Sequence, residues 1–144
     1  MKKLKMIALA TLMALFMVGC GGSGGAQSEL EALDFNAMLP ELTIVEEDGS
    51  KSVEGTFTNT TPYDISLAVF YYSDKAANEN GSFTASTVAA GEQSEKMEAY
   101  APEINNVNDI EIEAVDINFN TDEGNYCVKY DYKEGKVLES FEIE

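Results

Sequence analysis

Ile110-Glu111-Ile112-Glu113-Ala114-Val115-Asp116-Ile117-Asn118-Phe119 alternates apolar and polar side chains over ten residues. Its apolar residues recur at every second position, the period of a strand with one face toward a core and one toward water. The alternation changes parity once, between Ala114 and Val115, as a single inserted residue in a β-bulge would make it. The same period extends in both directions. Downstream, a two-residue turn at Glu134-Gly135 would set Tyr132 opposite Val137, Val128 opposite Phe141 and Tyr126 opposite Ile143, gathering nearly all the apolar residues on one face. Upstream, Leu42-Thr43-Ile44-Val45 reads as a strand and Asp48-Gly49 as a hairpin turn. Val53, Gly55 and Phe57 then alternate with Glu54, Thr56 and Thr58.

After a break at Asn59-Thr60-Thr61-Pro62, residues Ile65, Leu67, Val69 and Tyr71 line one face of a further strand. Two weaker strands follow, around Phe83–Val88 and Gln93–Ala99, separated by Gly91-Glu92. Seven or eight short strands with turn signals between them, and no helix–strand alternation, predict an all-β antiparallel β-sandwich. Phe70 and Tyr72 fall on the other side of their strand, with Ser66 and Ala68. Two large aromatics on an outward face need a cover or a partner. The N-terminal residues Leu30, Leu33 and Phe35 are one available cover; a protein or glycan partner docking on Phe70 and Tyr72 is a second reading, and a misassigned strand parity a third.

The N-terminus follows different rules. Lys2, Lys3 and Lys5 precede an uninterrupted apolar run from Met6 to Val18, too short to span a bilayer as a helix but the right length for the apolar region of a secretory signal. The run ends at Met17-Val18-Gly19-Cys20, which resembles the lipobox of bacterial lipoproteins, with Met where Leu is usual. That resemblance implies removal of residues 1–19 and a diacylglyceryl group on Cys20, placing the protein on the extracytoplasmic side of a membrane. Two acyl chains suffice for stable anchoring. Residues 20–27 read as the lipidated cysteine and a flexible Gly/Ser linker, and 28–144 as one sandwich domain. Ser28 and Glu31 resemble a capping box opening a short helix, with Leu30, Leu33 and Ala37 on one face and Pro40 at its end.

Charge and composition exclude much. The chain holds 9 basic and 26 acidic residues and no histidine. Residues 20–144 keep six lysines against all 26 acids, a net charge of −20. Such a polyanion repels phosphate backbones, so no nucleic-acid partner is expected. Without histidine there is no Ser-His-Asp or Cys-His catalysis and no imidazole metal ligand. With no arginine either, the usual clamp for phosphate is missing. No catalytic residue, cofactor or metal site is expected. Asn118-x-Asn120-x-Asp122-x-Gly124 echoes a calcium loop, but the sixth and twelfth positions are Glu123 and Lys129, where such a loop needs Gly and a bidentate acid. Cys127 has no disulfide partner once Cys20 is lipidated; on the Lys129 side of its strand it reads as a small tucked residue, with a reactive or intermolecular thiol as the alternative.

Three further stretches resemble one family. Gly55-Thr56-Phe57-Thr58-Asn59 is similar to the G-x-V-x-N opening of the FxLYD domain. Phe70-Tyr71-Tyr72-Ser73-Asp74 stands where that family has Phe-x-Leu-Tyr-Asp, keeping the first and last residues. Val88-Ala89-Ala90-Gly91-Glu92 resembles its L-x-P-G-E turn without the proline. The resemblance implies an immunoglobulin-like, non-catalytic module of an exported lipoprotein: an interaction domain, or alternatively a structural or cation-binding acidic envelope protein.

Overall fold

In a computed structural model, residues 25–144 are described, and they form eight strands. In chain order these are β1 (Glu41–Glu47), β2 (Ser50–Thr56), β3 (Asp64–Asp74), β4 (Glu79–Val88), β5 (Met97–Tyr100), β6 (Ile110–Thr121), β7 (Gly124–Asp131) and β8 (Lys136–Ile143). Every pairing is antiparallel. One sheet runs β1-β2-β5 and the other β4-β3-β6-β7-β8. The fold is the all-β sandwich that the alternation predicts. The secretion signal, Cys20 and most of the linker lie outside the described residues.

Local chemistry explains the elements that follow the sequence closely. Asp48 and Gly49 both take positive φ, as a two-residue hairpin turn requires, and Glu47 pairs with Ser50. Val53, Gly55 and Phe57 are buried as expected. The expected bulge in β6 is present: Tyr71 pairs with Ala114 and Tyr72 with Ile112, leaving Glu113 as the extra residue.

β3 differs from expectation, and this corrects the candidate partner face. Phe70 is 0% exposed and Tyr72 is 8% exposed, while Tyr71 is 41% exposed. The cause is a second bulge. Ile65 pairs with Phe119 and Leu67 with Asn118, so Ser66 has no partner in β6 and the parity of the strand flips after it. Ile65, Ala68, Phe70 and Tyr72 then all face the core. Phe57 meets Phe70 edge-on at 5.0 Å between ring centres, and Tyr72 lies 4.7 Å from Phe83. Each fully buried phenylalanine contributes about 1.5–3 kcal/mol. The flipped parity therefore wins over one that buries Leu67, Val69 and Tyr71 and sends two rings into water. Neither the cover nor the partner expected for Phe70 and Tyr72 is needed; the opposing sheet covers them.

The β7–β8 hairpin also departs from its expected register. Asp131 pairs with Lys136 across a four-residue loop, not a two-residue turn. Asp131 Oδ1 accepts from the backbone N–H groups of Lys133 (2.7 Å) and Glu134 (2.9 Å), and Gly135 supplies the positive φ that closes the loop. A bulge at Leu138 shifts the pairs beyond it, so Phe141 lies opposite Cys127 and Val128 opposite Ser140.

The three-stranded sheet is too narrow to cover all five strands of its partner. The N-terminal segment fills the gap. Helix α1 (Gly25–Glu31) packs on β7 and β8, and a 3₁₀ turn (Phe35–Met38) follows it. Leu30, Phe35 and Met38 are almost fully buried, and Phe35 stacks on Tyr130 at 4.6 Å. Gly25–Gln27 are already helical ahead of the expected cap at Ser28, so the flexible linker does not extend to residue 27. Ala26 is buried, its N–H donates to Glu123 (3.1 Å), and the Gln27 side chain donates to the Ser140 carbonyl (3.0 Å). These contacts hold Gly25–Gln27 in the domain. The expected Leu30–Leu33–Ala37 face does not form either, because the helix stops at Glu31 and Asp34 caps the 3₁₀ turn through the N–H groups of Asn36 and Ala37.

Candidate interaction surface

The point where the N-terminal segment joins the sandwich comes first. Gly25 and Ala26 lie against Glu123 in the β6–β7 turn. That turn is at the same end of the sandwich as the start of β3, since Asp64 pairs with Asn120. The C-terminal end of β2 is fixed there too: the Asn59 amide donates to the carbonyls of Tyr63 (2.8 Å) and Val88 (3.1 Å). The β1–β2 hairpin tip and Tyr100, which pairs with Ser52, therefore sit at the far end from Gly25.

At that far end the outward face of the three-stranded sheet is hollowed by about 350 Å³. Tyr100, 71% exposed, flanks it with Val45, Ser52, Glu47, Glu54 and Glu98. Glu54 stands directly opposite Glu98 across the β2–β5 pair, a like-charge apposition that costs stability. Lys96 relieves it by an ion pair to Glu54 at 2.9 Å, and that carboxylate, with Glu98 and Glu47 nearby, holds the ammonium above its usual range. With Glu47, Asp48, Glu54 and Glu98 set against Lys51 and Lys96, the result is an aromatic ring in a net negative, solvent-open setting. The strand expected around Gln93–Ala99 begins only at Met97 and runs one residue further, to Tyr100; the Met97/Ala99 alternation is the signal that puts Glu98 and Tyr100 outward.

The outward face of the five-stranded sheet is different in kind. Val69, Asp116, Lys129 and Glu139 pair in one row, and Leu67, Asn118, Cys127 and Phe141 in the next. Lys129 bridges Glu139 at 3.3 Å and sits 5.7 Å above the Phe141 ring. The Tyr71 hydroxyl donates to Asp116 at 3.1 Å. Cys127 falls on this face, as expected, but is buried there. Burial, and then the negative charge of Asp116, push its thiol above the ordinary range and leave it a poor nucleophile. Asn118 and Asn120 of the calcium-like ladder are ordinary pairing residues of β6, opposite Cys127 and Asn125.

Two of the three stretches that carry the family resemblance, Gly55–Asn59 and Val88–Glu92, meet in space. Asn59 is fully buried. Besides its two donations, its Oδ1 accepts from the Thr61 N–H and hydroxyl. Its backbone N–H donates to the Glu92 carbonyl, and its own carbonyl accepts from Gly91. The G-x-V-x-N and turn stretches are thus one interlocked corner. Phe70 is core, and the buried Asp74 caps the β3–β4 turn through Ala76 and Ala77.

No family model, curated protein or solved structure matches this chain.

Proposed function

We propose that the protein is a lipid-anchored, extracytoplasmic, non-catalytic interaction module of the FxLYD-like, immunoglobulin-like kind, held to the membrane through Cys20. The observation that carries this reading is the division of the molecule into two ends. An N-terminal signal leads through Cys20 and a few glycines to Gly25, which docks at one end of the sandwich. The Tyr100 hollow opens at the other. An exposed ring among carboxylates suits a partner that presents basic side chains, through cation–π contact and charge complementarity. The interlocked Asn59 corner supports the family assignment, because each residue kept from the three motifs has a structural task.

Two substitutions test it. Cys20→Ser should release the protein from the membrane fraction or stop its maturation; persistence in that fraction at unchanged mass contradicts the anchor. Tyr100→Ala should leave the fold as stable as before, within about 0.5 kcal/mol for a surface site. It should also remove the capture of partners by surface cross-linking; unchanged capture contradicts the hollow as the contact face.

A further inference from the structure

We infer that β4 is an open pairing edge and that its occupant is β4 of a second copy of this chain, running antiparallel about a two-fold axis at Thr84. A two-sheet sandwich has four edge strands, and exposed edges recruit other strands unless something blocks them. Three of the four edges here are blocked. β1 carries Glu41, Glu46 and Glu47. β5 is four residues long and holds Glu98. β8 carries Lys136, Glu139 and Glu142, is bulged at Leu138, and has one of its carbonyls, that of Ser140, taken by Gln27.

In β4 such devices are confined to the two ends, Glu79 at its first residue and Thr87, at positive φ and outside the ladder, next to its last. It is ten residues long, and residues 80–91 contain no charged side chain, in a chain with 26 acids. Among the described residues, Asn80–Ser86 make no hydrogen bond outside their ladder to β3. β5 passes beside β4 in the other layer without pairing to it.

The missing charge identifies the occupant. Two copies of a −20 molecule can meet only where their carboxylates are not brought together, and β4 is the edge that allows it. With the axis at Thr84, Thr84 faces its own copy, Ser82 faces Ser86, and Phe83 faces Ala85. The hydroxyl row is solvent-exposed and the inner row is buried. Thr and Ser opposite one another are favourable cross-strand pairs. A two-fold contact of this type is self-complementary and closes, so it makes dimers and not fibres. An extended peptide of another protein would find no charge or pocket along β4 to select it.

Sedimentation of the full chain in detergent, over a range of protein concentration and with bound detergent subtracted, tests this. The wild-type chain should dimerise reversibly. Thr84→Lys and Thr84→Glu should each weaken the dimer by at least about tenfold, since they set like charges face to face. An equimolar mixture of the two variants should restore it, which also shows both are folded. Thr43→Lys, adding the same charge to the other sheet, should change nothing. A wild-type chain monomeric at every concentration, or a dimer that ignores both Thr84 substitutions, overturns the inference.

Discussion

Asn59 is an uncharged side chain with no solvent contact, and the corner is organised around it. Its amide serves the Val88 carbonyl and, together with the Thr61 hydroxyl, the Tyr63 carbonyl, while its Oδ1 takes the Thr61 N–H, which has no other acceptor among the described residues. Each orphaned buried group costs about 1–3 kcal/mol, so Asn59→Ala should destabilise the domain by about 2–4 kcal/mol in denaturant titration. A loss under 1 kcal/mol would mean that the corner holds together without it. At the same scale, the flipped parity of β3 predicts an asymmetry between neighbours. Phe70→Ala should cost about 3–5 kcal/mol, and Tyr71→Ala, half in water, much less. Equal losses, or the reverse order, would contradict the Ser66 bulge. That bulge was not legible in the sequence, because Ile65–Tyr72 is apolar on both faces and period alone cannot choose between them. The Glu113 bulge was legible, because β6 has acids on one face to mark the change of parity.

Among the elements, the N-terminal segment is the one whose role changed most. Its residues were readable as apolar, but their target was not: they cover the β7–β8 side of the larger sheet and not Phe70 and Tyr72. The width of the opposing sheet decides that, and no local pattern encodes width. The same cause freed β8 from supplying a full apolar face, so its register could follow the Asp131 loop. Two tyrosines pin the segment. Tyr132 donates to the Phe35 carbonyl at 3.0 Å, and Tyr63 hydrogen-bonds Glu29. The bond to Glu29, burial and the Glu29 charge push the Tyr63 hydroxyl up to about 12; burial, chiefly, pushes Tyr132 up as well. Raised in the folded state above the ordinary value of about 10, both keep their protons longer folded than unfolded. Their contribution is therefore intact below pH ~10 and lost as pH rises through 12 for Tyr63 and further for Tyr132. The melting temperature should fall from about pH 10 upward, and Tyr63→Phe should flatten the part of that fall below pH 12. A flat wild-type profile across that range would contradict the two anchors. Deleting residues 25–39 should expose Tyr126, Val128 and Tyr130, raising dye binding and lowering stability together.

For the whole molecule, charge is the dominant fact. Of the six lysines in the described residues, five are ion-paired on the surface, with Glu111, Glu54, Glu139, Glu113 and Glu134. Exposed pairs of this kind contribute little each, and most of the 26 acids still face one another across water. Added sodium chloride should therefore raise the melting temperature as screening shortens the range of repulsion, and calcium should do no more than magnesium at equal concentration. A calcium-specific rise of several degrees would favour the cation-binding reading of the Asn118–Gly124 stretch. The proposed tether at Cys20 fixes the mass of the mature N-terminus, and that mass can be measured. Intact-mass and peptide analysis of protein from the membrane fraction should find residues 1–19 gone and Cys20 carrying a diacylglyceryl group. A chain that still begins at Met1, or a Cys20 with a free thiol, would contradict it.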